Sequence, residues 1–353
     1  MRVGVSGKVL RRNVGGNTSY TRTLYTALAP FGIEYEALVP PGDGLGGAVR
    51  QLAYAAADGL LWPARPGGAD LLHFPADTGA LIGSRVPIAA TVHGVEDAPV
   101  PGLARALWKR TWMARVGRLT EVAGAVITVS RHSAGEIGRV FRIPAARVHV
   151  IPHGLDAGRF HPRETGDDAL LEPLRLPGGF VLYLGNLDPR KNVTALVEAT
   201  ARLGVPLVVA GGGFLGSGQV ERALAGAPHA RYLGQVPHEL VAPLMRAATV
   251  FAFPSGHEGF GMPVLEAMAC GTPVVTSDRA ALPEVAGDAA VLVSDLDARG
   301  IAAGLETVLS DDRAAADLRA RGIARAALFS WEESARRHAE VFTALVEGGG
   351  TRA

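Results

Sequence analysis

The chain has 353 residues, of which 48% are hydrophobic and 20% are charged, a composition that supports packed domains and excludes disorder as the main state. Its 35 basic and 34 acidic residues give a net charge of +1, so we expect no nucleic-acid partner. The single cysteine, Cys270, excludes an internal disulfide framework and a cysteine-rich metal site.

The N-terminal residues 1–7 resemble a short buried strand rather than a signal peptide, and no apolar stretch reaches the length of about 18 residues that predicts a transmembrane helix. We therefore expect a cytoplasmic protein, with contact at the inner membrane face left open.

Six short apolar runs alternate with helical patterns in the first half of the chain. Helices are predicted at Asn17–Ala29 and Leu103–Leu119. The apolar runs do not alternate with polar residues, which is typical of strands buried on both faces of a parallel sheet. The predicted strands are Arg2–Ser6, Glu34–Val39, Asp70–Phe74, Ile88–His93, Ala125–Ser130 and Val148–Pro152.

The second half repeats this alternation. Helices are predicted at Asn192–Leu203, His238–Ala247 and Ala298–Leu309, and a last helix from Ser330 to about Glu347. The predicted strands are Phe180–Leu184, Pro206–Ala210, Arg231–Leu233, Val250–Phe253, Val274–Thr276 and Ala290–Val293.

The alternation predicts an α/β fold with two doubly wound, Rossmann-like domains that face each other across a cleft. The segment Arg159–Gly179, rich in proline, glycine and charge, is predicted to join them. The domains are then residues 1–165 and 175–329, and residues 330–353 form a C-terminal helix and tail. Ligands of such sheets bind outside the carboxyl ends of the strands.

The densest motif runs from His257 to Pro273, after a predicted strand. A glycine-rich turn precedes Pro263, which suits the first turn of a helix, and unpaired amides at a helix N-terminus bind anions. Glu258 and Glu266 lie eight positions apart and offer carboxylates to ligand hydroxyls. Taken singly, Glu258 is better explained as a loop residue and Glu266 as a surface acid, but the whole string favours a binding site.

Two cations, Arg190 and Lys191, follow another predicted strand and its Gly185 turn. A guanidinium fork beside a point charge suits a diphosphate, and a solvated loop is the alternative. In the first half, the Gly15-Gly16 turn offers backbone amides, and His93 ends a predicted strand where its side chain is expected to point into the cleft.

Three patterns resemble a known motif or a reactive group but are interpreted differently. The glycines from Gly211 to Gly216 formally match a dinucleotide fingerprint but lie on a middle strand, so a loop near a nucleotide base is preferred. Asp295 and Asp297 resemble a metal pair, yet aspartate there is an ordinary helix cap. Cys270 is predicted to pack in the core.

The predicted helix Leu103–Leu119 places Trp108, Trp112, Val116 and Leu119 on one stripe with basic residues beside it. Three interpretations stay open: an interfacial helix that contacts a membrane peripherally, part of an acceptor pocket, or a core-packing stripe with a basic solvated face.

Taken together, these strings resemble the retaining, nucleotide-sugar-dependent glycosyltransferases of family 4, which have the GT-B architecture, and most closely the mannosyltransferase-like branch. The resemblance covers nearly the whole chain and is strongest in the E-x7-E signature from Glu258 to Glu266. It implies a hexosyltransferase of carbohydrate biosynthesis whose C-terminal half holds the donor and whose N-terminal half binds the acceptor. It also implies that the last helix returns to pack on the N-terminal domain. The residues implied to bind the donor are Gly15, Gly16, Gly185, Arg190, Lys191, Gly211, Val236, Glu258, Gly259, Phe260, Gly261, Met262 and Glu266.

The resemblance also implies roles. Arg190 and Lys191 match the family's diphosphate-binding pair, Glu266 its ribose-binding acid and Glu258 the acid at the donor sugar. His93 matches a histidine near the transferred sugar. The predicted catalytic residues are His93, Glu258, Arg190 and Lys191. Gly94 replaces the aspartate that usually follows this histidine, so the role of that acid is absent or supplied elsewhere.

Fixed cations and helix-end amides can stabilise a leaving diphosphate, so the expected transfer needs no metal or cofactor. The expected donor is a GDP- or UDP-sugar, and the acceptor is a glycan, a lipid-linked saccharide or a small molecule. Two other interpretations are a sugar-nucleotide epimerase of the same architecture and a catalytically inactive, glycosyltransferase-like binding subunit.

Overall fold

The computed structural model describes residues 1–11, 16–40, 46–96, 102–162, 165–213 and 216–349. Contacts divide the chain into two compact units. The first contains Met1–Gly154 and the C-terminal residues from Trp331 onward, and the second contains Leu155–Ser330. The segment 159–179, placed between domains by its composition, therefore lies in the second unit.

The first unit is built on a six-stranded parallel sheet with the order β2-β1-β3-β4-β5-β6. Its strands are β1 Arg2–Ser6, β2 Glu34–Leu38, β3 Leu71–Phe74, β4 Ile88–Thr91, β5 Ala125–Thr128 and β6 Val148–Val150. Its helices before the second unit are α1 Gly7–Arg11, α2 Gly16–Leu28, α3 Gly47–Ala56, α4 Trp62–Ala64, α5 Leu103–Val122 and α6 Arg131–Phe141.

Apolar side chains cover both faces of this sheet. On one face Leu72 packs with Val116 and Ile137, and on the other Leu71 packs with Leu24 of α2. Adjacent residues of a strand point to opposite faces of the sheet, and both faces are covered by apolar side chains. Neighbouring residues on a strand must therefore both be apolar, which explains apolar runs that do not alternate with polar residues.

The second unit contains another six-stranded parallel sheet, with the order β12-β11-β10-β7-β8-β9. Its strands are β7 Val181–Leu184, β8 Leu207–Ala210, β9 Ala230–Tyr232, β10 Val250–Phe253, β11 Val274–Ser277 and β12 Val291–Val293. Its helices are α7 Asp167–Leu171, α8 Val193–Leu203, α9 Gly218–Ala225, α10 Val241–Ala247, α11 Met262–Ala269, α12 Leu282–Ala286, α13 Ala298–Leu309 and α14 Asp312–Ala326.

Every strand predicted from the sequence is present, and the prediction of two doubly wound α/β domains is confirmed. The predicted strand ends differ from the observed ones by at most two residues. The fourth strand, for example, ends at Thr91 rather than His93, because the backbone N–H of His93 leaves the ladder and donates to Asp77 Oδ1 at 2.8 Å.

Strand order reverses once in each sheet, between β1 and β3 in the first unit and between β7 and β10 in the second. Loops on either side of such a reversal leave the sheet in opposite directions and open a crevice at the carboxyl ends of the strands. The two reversals therefore mark where each unit can bind a ligand.

The chain ends in a long helix, α15 Trp331–Gly349, which belongs to the first unit and packs beside α2. Phe342 is fully buried in the cluster that contains Leu24 and Leu71, and Trp331 and Leu345 pack against the same cluster. The two ends of the helix thus share one apolar face.

Helix α5 divides its predicted stripe between two environments. Val116 and Leu119 are fully buried in the core, Trp112 is half-buried, and Trp108 is 68% exposed. The core-packing interpretation therefore holds for the C-terminal half of the helix only. Over the described ranges, no helix combines the length and the apolar character that a membrane span requires.

The structure confirms the structural interpretation of Asp297 and of Cys270. Asp297 caps α13, because its carboxylate accepts a hydrogen bond from the N–H of Gly300 at 2.7 Å. Cys270 is buried with 4% exposure.

Candidate functional site

The carboxyl ends of four neighbouring strands in the second unit carry most of the predicted donor residues. Gly185 follows β7, Gly211 follows β8, Val236 lies in the loop after β9, and Glu258 lies in the loop after β10. Since all four strands are parallel, these loops lie along one edge of the sheet and include its reversal between β7 and β10.

Arg190 ties the loop after β7 to the loop after β10. Its Nη1 donates to the carbonyl of His257 at 2.7 Å, and its own carbonyl accepts from the N–H of Gly256 at 2.8 Å. Asp188 caps the turn, since its carboxylate accepts from the N–H of Arg190 at 3.0 Å and from Nε at 3.2 Å. The guanidinium is thus held in place across the reversal.

Lys191 forms a partly buried ion pair with Glu258. Its side chain is 9% exposed and that of Glu258 is 13% exposed, and Nζ lies 4.8 Å from the ring centroid of Phe253. Burial lowers the pKa of Lys191, and the Glu258 carboxylate opposes that shift. The resemblance assigns Lys191 to the diphosphate and Glu258 to the sugar of a donor, and in the structure their side chains form an ion pair with each other.

Gly185 and Gly211 meet so closely that a side chain at Gly211 is excluded. A Cβ on Gly211 would lie 1.8 Å from the carbonyl oxygen of Gly185, and Gly211 has a φ of +140°. The N–H of Gly211 donates to Gly234 at 2.7 Å, and its carbonyl accepts from the Tyr232 hydroxyl at 2.9 Å. Two adjacent glycine backbones at this part of the sheet edge allow a ligand to approach closely.

Helix α11 begins beside the Arg190 loop. Its cap, Gly261, has a φ of +116°, and a Cβ there would lie 2.7 Å from Leu282 Cδ2. The side chain of Phe260 is 6% exposed and packs edge-on to Phe329, so this residue offers a ligand its backbone rather than its ring. Pro263 has no N–H, and the N–H groups of Val264 and Leu265 donate to the carbonyl of Gly261 at 3.0 and 3.3 Å, while the start of the helix remains the positive end of its dipole, which suits an anion.

Glu266 lies on α11. It is the fifth residue of a helix that begins at Met262, so it lies beyond the first turn. Burial raises its pKa to about 7, and the positive charge of Arg159 opposes that shift. Sequence reasoning missed Arg159, since nothing in its surroundings along the chain indicates a partner on α11.

His93 and the glycine turn lie in the first unit. The Nε2 of His93 lies 3.0 Å from the carbonyl of Pro75 and must donate to it, so Nδ1 carries the lone pair when the ring is neutral. The ring stacks on His153 at 5.4 Å and meets the edge of Tyr20 at 4.8 Å.

Of the two glycines in the predicted turn, Gly16 begins α2, and Gly15 lies outside the described residues. Asp77, whose carboxylate accepts from His93, was also missed, because a lone aspartate after a strand gives no functional signal.

The second unit therefore presents two fixed cations, a glycine-lined sheet edge and a helix N-terminus around one strand reversal. Positive charge and backbone amides suit the phosphates of a ligand, while Glu258 and Glu266 offer acceptors for its hydroxyl groups. Such an arrangement can bind a nucleoside diphosphate joined to a polyhydroxylated group.

Comparisons with known proteins agree with this geometry. Residues 14–159 match Glycosyltransferase Family 4, and residues 173–325 match the glycosyl transferases group 1. The O-antigen chain mannosyltransferase B of Escherichia coli is 38% identical over 224 residues, which cover 60% of this chain and 58% of that protein. The match therefore spans a little over half the length of this relative.

Two solved structures have the same fold. Sucrose-phosphate synthase from Thermosynechococcus elongatus has a TM-score of 0.79 at 24% identity, covering 99% of this chain and 100% of the other. HepE of Anabaena, in complex with UDP and glucose, has a TM-score of 0.77 at 20% identity, covering 98% and 100%. The predicted GT-B fold is confirmed, and the chain belongs to the glycosyltransferases, with a Family 4 domain in its first half and a group 1 domain in its second.

Proposed function

We propose that this protein transfers a hexose from a nucleoside diphosphate-sugar to an acceptor hydroxyl, with retention of configuration at the anomeric carbon. The observation that carries the proposal is the Lys191–Glu258 ion pair across the strand reversal, with Arg190 bonded to His257 beside it. This contact brings the two proposed phosphate-binding cations, Arg190 and Lys191, and the proposed hydroxyl-binding acid, Glu258, into one site.

The donor is a GDP- or UDP-sugar. Its diphosphate lies against Arg190, Lys191 and the amides that begin α11, and its ribose hydroxyls donate to Glu266. A mannosyl group is supported by the mannosyltransferase relative, and a uridine nucleotide by the complex of HepE.

Transfer breaks the bond between the anomeric carbon and the diphosphate oxygen, and it forms a bond from that carbon to the acceptor oxygen on the same face. Negative charge develops on the leaving diphosphate, where the two cations and the helix N-terminus stabilise it. The leaving oxygen takes the proton of the acceptor. Glu258 is neutralised by Lys191 and orients the cation rather than attacking the sugar, and no metal is needed.

The acceptor is a glycan, a lipid-linked saccharide or a small molecule. Helix α5 exposes Trp108 to 68% and Leu107 to 54% near its N-terminus. Basic residues such as Lys109 and Arg110 lie beside them in the sequence. This end suits peripheral contact with an anionic membrane surface at the cytoplasmic face.

Thermal shift with GDP, UDP and ADP, followed by turnover of GDP-mannose and UDP-glucose, tests the proposal. A nucleotide that binds the folded state raises the unfolding temperature with its concentration. We expect one nucleotide to do so in the wild type and much less in Lys191→Ala. Binding without cleavage of either sugar-nucleotide, with or without saccharide acceptors, would instead indicate an inactive binding subunit.

A further inference from the structure

The loop that follows β3 holds His93 at two points. The carbonyl of Pro75 accepts a hydrogen bond from Nε2 of the ring at 3.0 Å, and the carboxylate of Asp77 accepts one from the backbone N–H at 2.8 Å. The loop is itself tied to β4, because the N–H of Asp77 donates to the carbonyl of Thr91 at 3.1 Å. Both the ring and the backbone of His93 are therefore held by residues 75–77.

The bonds of Asp77 lie just beyond the last paired residues of two strands. Strands β3 and β4 pair in register as far as Phe74 and Ala90. Past that point, the carboxylate of Asp77 takes the place of a backbone carbonyl as the acceptor for His93. A hydrogen bond from an N–H to a carboxylate is stronger than one to a neutral acceptor. The position of His93 thus depends on a side chain rather than on the sheet ladder.

Asp77 also reaches the start of α2. The side-chain amide of Asn17, in the first turn of that helix, donates to the Asp77 carboxylate. Asn17 directly follows Gly16 of the predicted glycine turn. His93 is the other residue of this unit that is predicted to face a ligand. One carboxylate therefore joins the two candidate elements of the first unit.

The backbone of Asp77 is left-handed, with a φ of +62°. Residues other than glycine rarely adopt this conformation, and asparagine and aspartate are the most frequent exceptions. Glycine would form the turn without strain, whereas aspartate accepts some strain and supplies the carboxylate that bonds to His93 and Asn17. Strained residues of this kind cluster at functional sites.

The ring of His93 keeps one nitrogen for a ligand. Because Nε2 donates to Pro75, Nδ1 of the neutral ring carries a lone pair, and it accepts no hydrogen bond from any residue that the structure describes. His93 is partly exposed and follows β4 at the carboxyl end of the sheet, the edge at which such sheets bind ligands. Nδ1 can therefore accept a hydrogen bond from a substrate hydroxyl while the ring keeps this orientation.

We propose that Asp77 is a positioning residue for sugar transfer: its carboxylate fixes the backbone of His93 and so directs Nδ1 toward a substrate hydroxyl. This role rests on the proposed transferase function. Asp77 acts as a hydrogen-bond acceptor, so asparagine can replace it and glycine cannot. The effect falls on transfer rather than on donor binding, because Arg190, Lys191 and Glu258 lie in the second unit.

Initial rates of Asp77→Asn and Asp77→Gly, measured with the sugar-nucleotide that the wild type cleaves, test this role. Both new residues suit a φ of +62°, so both variants should fold. We expect Asp77→Gly to lower kcat about 10-fold with the KM for the donor unchanged, and Asp77→Asn to stay within about threefold of the wild type.

Asp70→Ala is the matched control. It removes a carboxylate that likewise accepts from a backbone N–H, that of Arg2 at 2.7 Å, but at the amino ends of β1 and β3. Ligands of such sheets bind at the other edge, so this substitution should leave kcat unchanged.

A double variant shows whether Asp77 acts through His93. His93→Ala should lower kcat at least as much as Asp77→Gly, and adding Asp77→Gly to it should cause no further loss, because the ring that Asp77 positions is gone. Three results would overturn the proposal: a wild-type kcat in Asp77→Gly, an equal loss in Asp77→Asn and Asp77→Gly, or additive losses in the double variant.

Amide hydrogen exchange at His93 separates failure of this proposal from failure of the proposed function, because it needs no activity. The amide should exchange about 10-fold faster in Asp77→Gly than in the wild type or in Asp77→Asn, since its acceptor is lost. Absence of donor cleavage in the wild type contradicts the transferase. Cleavage with equal exchange rates in all three proteins contradicts only the positioning by Asp77.

Discussion

The hydroxyl of Tyr20 on α2 lies 2.8 Å from Nε2 of His338 on α15, and both residues are buried. The Nδ1 of His338 lies 2.7 Å from the carbonyl of Ser334 and must donate to it, so Nε2 of the neutral ring accepts from Tyr20. The bond therefore has a fixed direction and joins the last helix to the body of the first unit.

From Tyr20 the bonds continue across the sheet. The Thr91 hydroxyl lies 3.2 Å from the Tyr20 hydroxyl and 2.8 Å from Nε2 of His73, while Nδ1 of His73 lies 2.8 Å from the hydroxyl of Tyr25. With His338 accepting from Tyr20, one consistent assignment has each group donate to the next, from Tyr25 to Ser334. Both histidines must then be neutral.

Replacing His338 with phenylalanine should destabilise the protein by about 1–3 kcal/mol, because the Tyr20 hydroxyl loses its acceptor inside the core. The midpoint of a urea unfolding transition measures the effect. Arg336→Ala on the same helix is the control, since Arg336 pairs with the exposed Glu333 and Glu340 and should contribute less than about 1 kcal/mol. Equal effects of the two substitutions would contradict a special role for the buried bond.

Acid should weaken the same network. Burial lowers the pKa of His338 from 6.5 to about 4 and lowers that of His73 well below its usual range. The unfolded chain then takes up protons first, so the stability present above pH 6.5 is lost as the pH falls toward 4, by up to about 1.4 kcal/mol per pH unit for each histidine. Urea unfolding between pH 7.5 and 4.5 should give a shallower pH dependence for His338→Phe than for the wild type. Identical slopes would exclude His338 as a contributor.

The strands and the chemical character of the donor residues could be predicted from the sequence, because apolar runs and a glycine turn with flanking charges are local signals. The Lys191–Glu258 pair could not, since its members are 67 positions apart and meet only through the strand order. The contact of Gly185 with Gly211 likewise depends on β7 pairing with β8. Helix α14 was not predicted, although Asp311 caps it by accepting from the N–H groups of Arg313 and Ala314.

Lys191→Ala and Arg190→Ala should each slow sugar transfer by roughly 10²-fold, the scale expected when one stabilising group for a developing anion is lost. Lys191→Ala also leaves Glu258 half-buried without its cation, so Lys191→Ala with Glu258→Gln should be less than additive. Initial rates with the donor identified by thermal shift measure both effects. Arg202→Ala, at an exposed cation on α8, should leave the rate unchanged, and wild-type rates in both site variants would contradict the assigned cations.

Transfer should survive removal of divalent metal ions. Asp297, which resembles half of a metal pair in the sequence, caps α13, and the proposed leaving-group charge is met by Arg190, Lys191 and backbone amides. We expect rates within about twofold of the untreated enzyme after dialysis against EDTA, because those groups are part of the chain. Complete loss that Mg²⁺ or Mn²⁺ restores would contradict this mechanism.

The chain passes between its two units at two adjacent places. The first passage is at Gly154–Leu155 and the second at Ser330–Trp331. The N–H of Leu155 donates to the carbonyl of Phe329 at 2.9 Å, and Leu155 forms an isolated parallel bridge with Ser330. Two paired segments restrict relative motion of the units more than one flexible linker would.

Gly154 allows the two passages to approach. A Cβ at this position would lie 2.3 Å from the backbone nitrogen of Trp331, a distance that side-chain adjustment cannot relieve. Gly154→Ala should therefore separate the passages, lower the unfolding temperature by several degrees and slow transfer more than donor binding, because Arg190, Lys191, Glu258 and Glu266 all lie in the second unit. Gly158→Ala is the matched control, since its nearest neighbour would lie 3.4 Å away, at a side-chain oxygen of Asp156. If Gly154→Ala unfolds and transfers sugar like the control, the close passage of the two segments is not needed for stability or for transfer.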